Sequence, residues 1–471
     1  VKKLTLLLFT TVVCAIQCLA AEQPNILFIE IDDLNYKYSS LAEKTLVETP
    51  AMDSLARSGT YFRNAVCQGM MCGPSRNSLI SGLYPHSMGF YRNGQFNAFP
   101  ANTWMFPQAL QKSGYTTAYI GKSHIKALKG TKGMGAEMGF DHAKYTAGRA
   151  VLLSRARKGQ NAKDWYFDYL KEAKLYDTFL EDDRKKRYST LPEDAYLDGF
   201  FTKASMDFLD GYEKEKPFFL WINYSLPHGP HDVNKRYHTF SPNDMPGIQK
   251  ASFTPPPKLI KDTRPAKSTM KKTQAEYCGA ITFLDRQIGR ILENLRENEK
   301  LDNTVVVLFS DHGIMMGDHE LIHKGTLFRQ ITTPTLLISW PKGFKQGKVV
   351  KHPVELMDLI PTALDLADAL KWDTRPIKAG ESLLPFLTGE GKFERKLAFG
   401  EVESYVAVVD GHYRLIRGEG HDLLFDDIND PDNLINIAEQ HPTRVAQLTT
   451  AIDQWLKTTG PVRPAGFYKA N

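Results

Sequence analysis

A chain of 471 residues is long enough to bury a large core, and one large domain with a smaller companion is the expected division. Its formal net charge of +5 is a mild excess, and no run of Lys and Arg is interleaved with aromatics, which argues against a nucleic-acid partner. The composition is that of an ordinary soluble globular protein.

In chain order, residues 1–21 read as a secretory signal. Lys2-Lys3 lead an apolar run from Leu4 to Ile16, too short to span a bilayer, and small residues close it at Cys18-Leu19-Ala20. The protein is therefore expected in the bacterial periplasm or outside the cell, with no stable membrane insertion once the signal is removed. Beyond it the chain keeps Cys67, Cys72 and Cys278. These make no disulfide framework, and whether Cys67 and Cys278 pair is left open. Pro24–Ile31 reads as a buried strand ending in Asp32-Asp33. Helical patterns follow at Met52–Ser58, Ser78–Leu83 and Trp104–Ser113. Thr117–Ile120 is a second strand, ending in Gly121-Lys122-Ser123-His124. Residues 141–215, rich in Lys, Asp and Tyr, show little strand signal and read as an insertion, with a helix over Ala195–Tyr212. Phe218–Asn223 is a strand that ends before Pro227-His228. An ordered excursion with Pro255-Pro256-Pro257 covers 241–270, and Ala275–Asn298 is a helix. Thr304–Phe309 is a strand ending in Ser310-Asp311-His312-Gly313.

Near 370–395 the pattern shifts. Tyr405–Val409, His412–Arg417 and Leu423–Phe425 read as short antiparallel strands and Pro442–Thr458 as a helix. Short apolar runs alternating with helices predict a doubly wound α/β domain over 22–375, and a small α+β subdomain over 376–471. All four buried strands end in polar residues. In open α/β sheets the ligand crevice lies at those carboxyl ends, so they are expected to converge on one rim.

Several of these residues are suited to one chemistry. Asp32, Asp33 and Asp311 offer hard oxygen ligands to a divalent cation, and His312 adds a nitrogen. Taken alone, an Asp-Asp pair is more often a turn or a cap. Pro74 suits a first helical turn, which places Cys72 at or just before a helix N-terminus, where free amides favour an anion. Arg76 lies one turn further on. His228 has an ordinary pKa near working pH, which suits a proton donor.

The run Cys72-Gly73-Pro74-Ser75-Arg76, with Leu79 and Ser81-Gly82 at fixed distance, resembles the type I sulfatase signature of the alkaline-phosphatase-like superfamily. Gly114–His124 resembles the family's second signature, with Ser123 where Trp is usual. Pro227-His228-Gly229-Pro230, His323-Lys324-Gly325-Thr326 and the closing segment Asp422–Leu434 also match, while Phe328-Arg329 stands where Tyr-Glu is common. The resemblance implies an alkaline-phosphatase-like α/β/α sandwich. It implies that a maturation enzyme oxidises Cys72 to formylglycine (3-oxoalanine), whose hydrate is the nucleophile. It implies a Ca²⁺ held by Asp32, Asp33, Asp311, His312 and the residue at 72. Arg76, Lys122, His124 and Lys324 then bind sulfate and steady the nucleophile, and His228 protonates the leaving oxygen.

The expected substrate is a sulfated carbohydrate, an algal polysaccharide or a glycosaminoglycan fragment. A small sulfate ester, a phosphate or phosphonate monoester, and a non-catalytic glycan-binding role are the alternatives. His86, Arg92, Asn93 and His231 are the candidates for substrate binding, with His319 and His323 beside them.

Overall fold

The apolar run that opens the domain forms β1 (Asn25–Asp32), buried at every residue after Asn25. The computed structural model describes residues 23–460 apart from 96–97, 132, 161–162, 186–187 and 214, so the expected signal lies outside the described residues. The strands that follow are β2 (Gly59–Phe62), β3 (Ala65–Val66), β4 (Thr116–Lys122), β5 (His142–Thr146) and β6 (Phe218–Pro227). Then come β7 (Thr304–Ser310), β8 (Leu336–Ser339), β9 (Lys348–Val350) and β10 (Val354–Glu355). Eight of them make one sheet in the order β5-β4-β6-β1-β7-β8-β2-β9, while β3 and β10 form a separate pair. From β5 through β7 every neighbour is parallel; β8 runs antiparallel to both β7 and β2.

The alternation of side chains along a strand divides the core in two. Ile26 and Phe28 of β1 pack into one cluster with Phe219, Trp221, Val305 and Val307. Leu27, Ile29 and Ile31 pack into the other with Leu220, Ile222, Val306 and Leu308. Helices Phe106–Lys112 and Leu359–Leu366 cover the first face; Leu197–Asp210 and Met270–Glu297 cover the second. Each fully buried side chain of this size is worth about 1.5–3 kcal/mol. Phe28 meets Phe219 and Phe309 edge-on, with ring centroids 5.2 and 5.7 Å apart, the geometry aromatic quadrupoles favour.

A second, antiparallel sheet holds β11 (Ala398–Val402), β12 (Tyr405–Val409), β13 (Tyr413–Gly418) and β14 (His421–Asp426). Helix Pro442–Thr459 packs on it through Leu448, Ile452 and Trp455. The doubly wound sheet and the small C-terminal sheet are thus both present. Cys67, Cys72 and Cys278 are all free, so Cys67 and Cys278 do not pair. No described helix is long and apolar enough to cross a membrane.

Three differences from the sequence expectation have physical reasons. The helix expected over Ser78–Leu83 is Cys72–Ser81. Met71 is extended before it and Gly82 ends it in the left-handed region, so Cys72 is its first residue. Within 141–215, β5 adds an edge strand to β4; its alternate residues are exposed, which hid it among charged neighbours. β2, β8, β9 and β11 were not expected at all, being 3 to 5 residues long.

Candidate active site

Parallel pairing brings the strand ends to one rim. Ile31 of β1 pairs with Ser310 of β7, and Asp32 with Pro227 of β6. Asp32-Asp33, Asp311-His312 and His228 therefore emerge side by side, and Lys122 ends β4 next to them. The helix led by Cys72 points its first turn at this rim. Cys72 Sγ lies 3.0 Å from Asp32 Oδ1, 3.3 Å from His312 Nε2 and 2.9 Å from Lys324 Nζ. Lys324 also donates to Asp33 Oδ1 at 2.5 Å, and Lys122 pairs with Asp32.

Arg76, one helical turn from Cys72, is fully buried. Its Nε donates to Asp311 Oδ2 at 2.9 Å and its Nη1 to Asn223 Oδ1 at 2.8 Å. Ser75 Oγ donates to the Asp311 carbonyl at 2.7 Å. The Cys72 helix and the end of β7 are thus fixed to one another.

The charges shift each other. Burial raises the Asp33 carboxyl, but Lys324, His228 and His312 outweigh it and hold it below the carboxylate range. Asp311 is held well below that range by His312, Arg76 and Lys324 despite its burial. Glu30, on β1 and bonded to Trp221 Nε1 at 2.9 Å, is pushed up to about 7 by burial. Burial, reinforced by Lys324, pushes Lys122 down to about 7. Burial pushes the Cys72 thiol up to about 12; a protonated, buried thiol is a poor nucleophile.

Asp32, Asp33, Cys72 and His312 each place one donor atom within 4.8 Å of the others. Two carboxylates and an imidazole suit a divalent cation. Ammonium groups face both carboxylates where a cation would neutralise them, Lys122 at Asp32 Oδ2 and Lys324 at Asp33 Oδ1. The residues fit a metal. Asp311 stands at the edge of this set. Its Oδ1 is 3.7 Å from His312 Nε2, but it accepts the Asp33 and His312 amides while Oδ2 holds Arg76.

The remaining expected residues separate. His228 Nε2 is 3.8 Å from Asp33 Oδ2, and its Nδ1 is 2.8 Å from the Gly229 carbonyl. His124 feels the charges of Lys122, Arg76, Lys324 and His228, and its buried Nδ1 has no hydrogen-bond partner. Asn93 Oδ1 accepts the Gly73 amide at 2.9 Å, and Arg92 lies beside it. His231 packs edge-on against Tyr277, whose hydroxyl donates to the Asp33 carbonyl at 2.6 Å; it stands behind the site. His323 is half-buried beside Lys324.

Two candidates are corrected. The His86 ring bonds Glu401 at 2.7 Å and Thr459 at 3.2 Å and meets Trp455 edge-on, so it fastens the C-terminal helix rather than a ligand. His319 stacks on Phe328 at 3.9 Å and lies 3.0 Å from the Asp432 carbonyl; it too is packing. Sequence reasoning missed Glu30 and Asn223. Their signal was a polar residue inside an otherwise apolar strand, which a buried sheet tolerates only with a partner.

The family model described as "Sulfatase" matches residues 24–369. The chain belongs to the sulfatase family, and with it to the hydrolases of sulfuric esters. It is 28% identical over 469 residues to an arylsulfatase of Clostridium perfringens, covering 90% of this chain and 93% of the relative. It is 26% identical over 464 residues to an N-acetylglucosamine-6-O-sulfatase of Bacteroides thetaiotaomicron, covering 83% of this chain and 76% of the relative. Two solved structures share its fold. One was solved in complex with its substrate D-glucosamine-2-N,6-O-disulfate (TM-score 0.74, 20% identity, 93% of this chain and 98% of that one). The other is a phosphonate monoester hydrolase of Agrobacterium radiobacter (TM-score 0.72, 21% identity, 92% and 95%).

Proposed function

We propose that the protein is an exported sulfatase of sulfated carbohydrate. It works with formylglycine made from Cys72 by a maturation enzyme, and with Ca²⁺ held by Asp32, Asp33, Asp311, His312 and the residue at 72. The observation that carries this reading is the place of Cys72. It is the first residue of a helix, with a lysine, a carboxylate and an imidazole all within 3.3 Å of its sulfur. A hydrated aldehyde at this position supplies an oxygen nucleophile and a second hydroxyl for sulfate release, which a serine lacks. A bound Ca²⁺ supplies positive charge to the reacting oxygens.

The chain's own groups do the rest. Lys324 is a firm cation and Lys122 a second ammonium whose proton burial has loosened; both receive the sulfate oxygens, and preorganised charge of this kind is the main electrostatic lever in such reactions. Arg76, tied to Asp311 and Asn223, holds the floor of the site. His124 offers an unpaired ring nitrogen to the sulfate or the nucleophile. His228 protonates the leaving oxygen. Support for a sugar substrate comes from the names of the hexosamine sulfatase relative and of the fold neighbour solved with a disulfated glucosamine. Support for export is the signal-like start of the sequence. In this reading 22–375 is the catalytic domain and 376–471 the subdomain that closes its side.

The test is sulfate release from sulfated glycans, monosaccharide sulfates and an aryl sulfate by the matured protein and by Cys72→Ala. Mass analysis of the tryptic peptide Asn64–Arg76 first establishes oxidation of Cys72, with Cys67 as internal control. Release that disappears in Cys72→Ala is the expected result. Turnover of phosphate or phosphonate monoesters alone, or glycan binding without turnover by oxidised protein, would overturn it.

A further inference from the structure

Three distant segments meet beside the reaction centre. Arg92 Nε lies 2.9 Å from Asp262 Oδ2, in the 241–270 excursion, and 2.9 Å from Glu403 Oε1, in the turn between β11 and β12. Lys261 pairs with Glu403, and Lys258 reaches Glu419, in the turn between β13 and β14, at 2.8 Å. The excursion is thus strapped across the C-terminal hairpins. The Arg92, Asp262 and Glu403 side chains are 28%, 19% and 26% exposed, so a small molecule reaches them.

Contacts tie this cluster to the catalytic residues. A Cβ on Gly325, next to Lys324, would stand 2.6 Å from Asp262 Cβ and 2.9 Å from the methyl of Met71, the residue before Cys72. Asn93, next to Arg92, holds the Gly73 amide, the residue after Cys72. Asp262 is thus one residue from Lys324, through Gly325, and Arg92 is two residues from Cys72, through Asn93 and Gly73.

Two features mark it as more than a surface ion pair. Glu403 opens a two-residue hairpin turn with φ +46°, a place where glycine or asparagine is favoured. A glutamate kept in a strained turn points to a use for its carboxylate. Arg92 Nη2 is buried and has no acceptor, and its Nε meets the two carboxylates at ion-pair distance without good hydrogen-bond geometry. The guanidinium keeps donors to give.

We infer that Arg92, Asp262 and Glu403 form the subsite for hydroxyl groups on the sugar that carries the scissile sulfate, and that it selects a monosulfated sugar over one bearing a second sulfate. This rests on the sulfatase reading of the same site. Arg92 and Lys261 balance the two carboxylates, so the cluster is neutral overall. A sugar hydroxyl both donates, to Asp262 or Glu403, and accepts, from Arg92. A second sulfate has no proton to donate and meets two carboxylates, a repulsive element that discriminates.

The experiment measures kcat/KM of the matured protein on 6-sulfated glucose, galactose and N-acetylglucosamine, on their disulfated and deoxy analogues, and on an aryl sulfate. The expected result is a preference for the best monosulfated sugar over its disulfated and deoxy analogues of about tenfold or more, the size of one or two charged hydrogen bonds. Asp262→Asn and Glu403→Gln are expected to narrow the mono-to-disulfated ratio about tenfold, and Arg92→Lys to narrow the hydroxyl-to-deoxy ratio. Damage to the fold lowers both members of a ratio and leaves it unchanged. A flat ratio in the unmodified protein that still hydrolyses the aryl sulfate would overturn this inference alone. No release from any ester would overturn the catalytic reading and this one with it.

Discussion

His228 sits between opposing pulls. Burial, then Lys324 and Lys122, press its imidazole down to about 3, while Asp33 and the Gly229 carbonyl draw it up. With Nδ1 engaged at Gly229, Nε2 is the nitrogen that faces the site. An anionic ester seated on the two lysines offsets their charge and raises the imidazole toward a working proton donor. His228→Ala is therefore expected to lower kcat/KM about 10²–10⁴-fold on alkyl and sugar sulfates, and much less on aryl sulfates, whose leaving groups need no proton. Equal losses on both classes would remove His228 from the acid role. At this scale the sequence was informative because Cys72, Lys122, His228 and Lys324 each lie in a short motif next to a strand end. His86 misled because a histidine near the signature looks the same whether it meets a ligand or Glu401. Asp262 and Glu403 were invisible, since their roles come only from contacts across more than a hundred residues.

The loop that carries His228 is held at both ends by other elements. Asp198, in the first turn of helix Leu197–Asp210, accepts the Ser225 and Leu226 amides at 2.6 and 3.0 Å. At the far end Arg149 grips Asp232 with two nitrogens, at 2.7 and 2.6 Å, between the rings of Tyr196 and Phe179. Asp198→Ala strands two buried amides, at about 1–3 kcal/mol each. It is expected to lower the midpoint of denaturant unfolding and also kcat on sugar sulfates. Asp198→Asn keeps one oxygen and recovers part of both. Full kcat in a destabilised Asp198→Ala would show that the clamp supports the fold and not the loop's aim. The helix itself was legible from its apolar periodicity, observed as Leu197–Asp210 against an expected Ala195–Tyr212. The clamp was not, because its partners are backbone amides and carry no residue signature. The short strands β2, β8 and β9 escaped for a related reason: so few residues give no period to read.

Across the whole molecule, sheet order decides which charges meet. The four long buried strands were read correctly, and the rule that strand ends converge placed their polar residues on one rim. What the sequence did not reveal is that β1 lies between β6 and β7, which packs Glu30, Asp32, Asp33 and Asp311 together with at most 2% exposure each. Arg76, Lys122 and Lys324 face these four carboxyl groups; burial pushes Lys122 down and Glu30 up to about 7 each, which leaves Asp32, Asp33 and Asp311 facing two firm cations, Arg76 and Lys324. An excess of buried negative charge is costly unless something compensates it. A divalent cation would do so, and the site for it exists only when β1, β7 and the Cys72 helix are assembled. Its binding energy is then folding energy. Saturation at a hundredfold excess over Kd is worth about 2.7 kcal/mol, which is a few degrees of Tm for a chain of this size. Exhaustive chelation is expected to abolish sulfate release and lower Tm together, with Ca²⁺ restoring both and Mg²⁺ less well, because Mg²⁺ demands near-ideal octahedral geometry and gives up its waters reluctantly, while carboxylate-rich sites suit the larger ion. Asp311→Ala should lose most of the Tm response to Ca²⁺. A protein that keeps its Tm and its turnover through chelation would show that Lys122 and Lys324 alone compensate the carboxylates, and that the cluster at the rim is an ion-pair network and not a metal site.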